Sequence, residues 1–94
     1  MTPLTGEELD RALADLPGWS VEDGRLVCAT TFPSFAAGIA YVGAVGALAD
    51  SHDHHPDIDV RWRTVTLRVN THDAGNAITE RDTRLAAAVN AHRP

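Results

Sequence analysis

Apolar and polar residues change period several times along the chain, and each change marks an element. Leu9, Leu13 and Leu16 recur at helical spacing behind Thr5-Gly6-Glu7-Glu8, which has the form of a capping box, and Pro17-Gly18 stops that helix. Trp19-Ser20-Val21 and Leu26 to Phe32 read as two short strands around Asp23-Gly24, a pair suited to a two-residue hairpin turn. Pro33-Ser34 opens a second helix with Ser34 as its N-cap. Phe35, Ile39, Val42, Val45 and Leu48 mark its apolar side, and it is expected to run to about His52. Ile58, Val60 and Trp62 alternate, as do Val65, Leu67 and Val69, which predicts a second hairpin turning at Arg63-Thr64, with Trp62 as a core residue. Thr79-Glu80-Arg81-Asp82 begins a last helix with Leu85 and Val89 on its buried stripe. The order α-β-β-α-β-β-α predicts an α+β domain, a four-stranded antiparallel sheet with helices packed on one face.

The second helix holds an internal conflict. Gly38, Gly43 and Gly46 lie within it, each costing roughly 1 kcal/mol relative to Ala. Either these positions let another helix approach closely, including one from a second subunit, or they are tolerated in an Ala-rich segment. Both readings stand at this level.

Composition narrows the class. The 94 residues make one domain, residues 1–94, with no linker, repeat or abrupt charge shift. Net charge is −5, and all eight basic residues are Arg. That balance argues against nucleic acid as a direct ligand, and Arg61, Arg63 and Arg68 read as a solvated strand face. A single cysteine, Cys28, permits neither an intramolecular disulfide nor a Cys-based zinc site. The first residues lack the basic and apolar regions of a signal peptide, and no apolar run approaches the ~20 residues of a membrane span. A cytoplasmic protein is the expectation.

Chemistry concentrates in Asp50-Ser51-His52-Asp53-His54-His55-Pro56-Asp57, which holds three of the five histidines. His72 follows the last strand-like run. Imidazole exchanges protons near neutral pH, and neighbouring carboxylates fix its tautomer. If the second helix extends far enough, Asp50 and His54, four apart, share a face and pair. Pro56 then holds the two adjacent histidines at a helix-to-strand corner, to which the sheet can deliver His72. Asp82 has two readings: a site carboxylate, or the last position of a capping box begun by Thr79. His52 and His92 read as exposed polar residues. A metal site built from His52, His54, His55 or His72 with Asp50 or Asp57 matches no recognised ligand spacing, although a metal-binding domain stays an alternative. No phosphate loop or nucleophile motif is present.

Taken together, Asp50-x-x-x-His54-His55-Pro56-Asp57, Trp62, Thr71-His72 and Thr79-Glu80-Arg81-Asp82 resemble the pterin-4a-carbinolamine dehydratases over nearly the whole chain. Two departures stand out: Asp50 replaces what is often Glu, and the segment from His72 to Asp82 is one residue longer than the commonest family spacing. The resemblance implies dehydration of 4a-hydroxytetrahydrobiopterin to the quinonoid dihydropterin, within tetrahydrobiopterin recycling and without metal or organic cofactor. By matched position it implies His54 and His72 as the acid–base pair, with His55 positioning the pterin or assisting proton transfer. Asp50 and Asp82 would orient imidazoles, while Pro56, Thr71, His72, Asp73 and Ala74 would contact substrate, some through backbone groups. It also implies a homodimer joined through sheet edges or a homotetramer packed through the second helix. Similar proteins act instead as dimerisation or assembly cofactors, a non-catalytic alternative on the same fold.

Overall fold

Local signals fix where each element begins. A computed structural model describes residues 2–92. In it Thr5 Oγ1 accepts from the Glu8 N–H while Glu8 Oε1 accepts from the Thr5 N–H, so both halves of a capping box close over α1 (Gly6–Ala14). β1 (Ser20–Glu22) and β2 (Arg25–Thr31) flank Asp23 and Gly24, both at positive φ. α2 (Phe35–His52) starts at Ser34, whose Oγ accepts from the Ala37 N–H. β3 (Asp57–Arg61) and β4 (Thr64–Val69) form the second hairpin; a single 3-10 turn covers His72–Ala74, and α3 (Glu80–His92) follows.

The sheet is antiparallel throughout, in the order β1-β2-β4-β3. Registers Leu26↔Val69 and Cys28↔Leu67 put these four side chains on one face. Tyr41 and Val45 of α2 and Leu85, Ala86 and Val89 of α3 pack there, forming one core that Leu16 and Trp19 complete. Trp19 is both buried and satisfied, since its indole N–H donates to Asn90 Oδ1 at 3.0 Å. The opposite face carries the alternating partners Val27, Thr66 and Arg68 and the β3 acids Asp57 and Asp59. The α+β architecture read from the sequence is therefore the one adopted.

Three details differ from expectation. The second hairpin turns at Trp62-Arg63, because Thr64 is already paired with both Thr31 and Arg61. Trp62 consequently leaves the strand alternation at φ 53 and is 73% exposed instead of entering the core. It meets Arg63, whose guanidinium carbon lies 4.4 Å from the ring centroid. The α2 glycines also divide. A Cβ at Gly38 would lie 3.4 Å from Val65 Cγ2, so that glycine brings α2 close to the sheet, whereas Gly43 and Gly46 face open space.

Candidate functional site

The end of α2 determines which histidine goes where. Helical geometry stops at His52, and Asp53 takes the left-handed conformation at φ 49, ψ 42. The Asp53 N–H donates to Asp50 O and the His54 N–H to Ala49 O, the paired bonds of a Schellman-type terminus. This reversal turns His54 inward, where it is buried, and leaves His55 exposed. Asp50 therefore does not pair with His54: the helix on which that expectation rested ends too early. Its Oδ1 lies 2.9 Å from His55 Nε2 in a solvent-exposed contact.

His54 pairs with Asp82 instead. His54 Nε2 lies 2.5 Å from Oδ1 of Asp82, a carboxylate with 0% exposure. Asp82 Oδ2 accepts from the Thr71 hydroxyl at 2.8 Å and from the Thr79 N–H at 2.8 Å. The Thr71 and Thr79 hydroxyls are 2.7 Å apart. The four buried polar side chains among the described residues, His54, Thr71, Thr79 and Asp82, thus form one connected network. Buried polar groups carry a heavy penalty when unpaired, and satisfied networks of this kind hold their members in a single geometry. The two readings of Asp82 merge: one carboxylate oxygen serves the Thr79 N–H at the start of α3, and the other holds the imidazole.

The loop between His72 and α3 delivers Asp82 to His54. Thr71 bridges Ala77, the Asn76 N–H donates to Thr71 O, and Gly75 and Asn76 both take left-handed φ, so the segment is folded into a tight bracket between β4 and α3. His72 is the first residue of the 3-10 turn, three positions beyond the end of β4, and is exposed. Bracketing commits some of the backbone groups expected to meet a ligand. The Thr71 N–H donates to Ala77 O and the Ala74 N–H to Thr71 O.

His54, His55, Pro56, Thr71, His72 and Asp73 line one open cleft of ≈ 400 Å³. Two protein segments far apart in sequence supply its imidazoles. Asp50 stands behind His55 rather than in the cleft, Asp82 lies beneath His54, and Ala74 is set back in the loop. Asp53, Asp57, Asn70 and Arg81 complete the lining; Asp57 was considered from the sequence only as a metal ligand, and the other three were assigned no role in the site. Arg81 had a readable signal, since a cation in the first turn of a helix opposes the helix dipole. Its charge stands among three acids, Asp53, Asp57 and Asp73, on the cleft wall. Among the described residues no group of three His, Cys, Asp or Glu side chains is placed to hold a metal ion.

Comparison with known proteins bears on the family and the fold. The family model for pterin 4 alpha carbinolamine dehydratase matches residues 2–92. A protein of Mycobacterium avium, provisionally named pterin-4-alpha-carbinolamine dehydratase, is 50% identical over 90 residues, covering 96% of this chain and 95% of its own. One of Mycolicibacterium smegmatis with the same provisional name is 47% identical over 90 residues, with the same coverage. Among solved structures, a transcriptional coactivator/pterin dehydratase from Brucella melitensis superimposes with a TM-score of 0.88 at 30% identity, covering 96% of this chain and 97% of that one. A pterin dehydratase-like protein identified as a RuBisCO assembly factor of the alpha-carboxysome shares the fold, with a TM-score of 0.62 at 23% identity over 78% of this chain and 83% of its own. The chain belongs to the pterin 4 alpha carbinolamine dehydratase family.

Proposed function

We propose that the protein removes water from a 4a-hydroxytetrahydropterin, giving the quinonoid dihydropterin, by histidine acid–base catalysis. The observation that carries this reading is the meeting of His54, His55 and His72 on one cleft, with His54 anchored to a buried carboxylate. The elimination requires a proton delivered to the departing C4a hydroxyl and a proton taken from N5. One protonated and one neutral imidazole perform both near neutral pH, each contributing typically ~10²–10⁴-fold. His54 and His72 fill these roles, approaching from the α2–β3 corner and the β4–α3 loop. His55, held by Asp50, positions the ring system, with Arg81 supplying the cleft's cation. No metal or organic cofactor enters this chemistry.

Ultraviolet monitoring of 4a-hydroxytetrahydropterin decay tests the proposal. Purified protein accelerates the decay, and His54→Ala and His72→Ala each lose at least about 10²-fold of that acceleration. Full activity in either variant would remove the acid–base pair.

Self-association is part of the same reading. From Phe35 to Ala49, α2 carries no charged residue, and Phe35 and Ile39 are 54% and 44% exposed. A helix apolar on all sides calls for cover on its outer face as well as its inner one. A second copy of the chain supplies that cover in a homodimer or homotetramer. The non-catalytic alternative, assembly with another protein, draws on this same surface. Pulldown from native lysate beside the activity assay separates the two: a stable partner together with no dehydratase activity favours the alternative. No described helix is long and apolar enough to cross a membrane.

A further inference from the structure

The hydrogen bonds beneath His54 have a direction. Asp82 Oδ2 receives two hydrogen bonds, from the Thr71 hydroxyl and the Thr79 N–H, so it has no room for a proton of its own. Thr71 has one hydroxyl proton, and that proton goes to Asp82. In the contact between Thr71 and Thr79 the donor must then be Thr79. The Thr79 oxygen in turn accepts from the Arg81 N–H at 3.2 Å. The sequence of donors therefore runs one way, from the Arg81 backbone through Thr79 and Thr71 to Asp82.

That direction reaches the imidazole. With Oδ2 occupied, Asp82 meets His54 through Oδ1 alone. An ionised carboxylate only accepts hydrogen bonds, so the proton in this contact is carried by His54 Nε2. Nδ1 makes no other hydrogen bond among the described residues, and His54 lines the cleft, so Nδ1 is the nitrogen left for a ligand. We propose that Thr71 and Thr79 are positioning residues whose hydroxyls, through Asp82, hold His54 as the Nε2–H tautomer and make Nδ1 its proton-exchanging atom. The tautomer follows from the network itself; its catalytic consequence rests on the dehydratase reading above.

Two readouts keep these apart. Nitrogen-15 spectra of histidine-labelled, ligand-free protein report the tautomer directly. At a pH where His54 is neutral, the expected pattern is a protonated Nε2 and a bare Nδ1. Thr71→Val removes the donor to Oδ2 and lets Asp82 rotate, so the spectrum should show mixed tautomers, and kcat should fall by up to about 10²-fold with little change in KM. Thr79→Val should do the same in smaller measure. Thr71→Ser and Thr79→Ser, which keep the hydroxyl, should restore both spectrum and kcat. A wild-type spectrum with the proton on Nδ1 overturns the proposal even if no valine variant folds. So does Thr71→Val protein with an unchanged His54 spectrum. A correct tautomer that responds to Thr71, in a protein without dehydratase activity, upholds the network and overturns the reaction.

Discussion

The two aspartates near the histidines differ in what surrounds them, and so in what their loss should do. Asp82 has 0% exposure and takes contacts from His54, Thr71 and Thr79. Replacing it with Ala strands three polar partners, each costing about 1–3 kcal/mol when left unmet in the interior. Asp82→Ala should therefore lose about 3 kcal/mol or more of stability, visible in a denaturant titration, together with nearly all activity. Among the described residues the Asp50 carboxylate pairs with the exposed His55, and ion pairs in water contribute about 0–1 kcal/mol. Asp50→Ala should keep its denaturation midpoint nearly unchanged and raise KM more than it lowers kcat. Equal destabilisation by both substitutions would contradict this account of the two carboxylates. Sequence alone paired Asp50 with His54, where the structure pairs it with His55, because the pairing depends on one backbone conformation, Asp53 at positive φ, at a residue type less usual there than Gly.

At the scale of elements, the sequence was most legible where a short-range signal suffices. The Thr5–Glu8 box, the Ser34 cap, the Asp23-Gly24 turn and the Val65-Leu67-Val69 alternation each act within a few residues, and each element formed as expected. The Trp62-Arg63 turn was misplaced by one residue because its register is set from outside, by Thr31 of β2 pairing with Thr64. The His72–Asn76 bracket, likewise, depends on a bridge to Ala77 that no local pattern announces. The α1 cap makes a pH prediction. Hydrogen bonds from the Thr5 backbone and side chain hold the Glu8 carboxyl below its ordinary value of 4.5. A depressed folded-state value means stability that is present above the unfolded value and is lost as pH falls through the folded one. Glu8→Gln keeps the reciprocal bond without the titration. Wild type should therefore exceed Glu8→Gln in stability near neutral pH, and the gap should close between about pH 5 and pH 3 in parallel urea titrations. A gap that widens in acid would reverse the sign of the argument.

For the whole molecule, the unresolved demand is the outer side of α2. Its inner side is accounted for: Tyr41, Val45 and Ala49 are buried, and Gly38 faces Val65 and Phe32, where a Cβ would already be in van der Waals contact. Among the described residues nothing explains Gly43 or Gly46, since a Cβ at either would meet no atom of theirs within 4 Å. If α2 faced only water, Gly43→Ala would remove a helix penalty and stabilise the protein by up to about 1 kcal/mol, leaving its mass in solution unchanged. If a second α2 packs there, as the uncharged surface and the exposed Phe35 and Ile39 support, the added methyl pushes the helices apart. Gly43→Ala should then weaken association, read as a smaller species at micromolar concentration in light scattering, and Ile39→Asp should weaken it further. The cleft lies at the far end of α2 from Phe35, beyond His52, so both variants should retain the His54–Asp82 network. A more stable Gly43→Ala protein of unaltered mass would place α2 in solvent and transfer its glycines to mere tolerance.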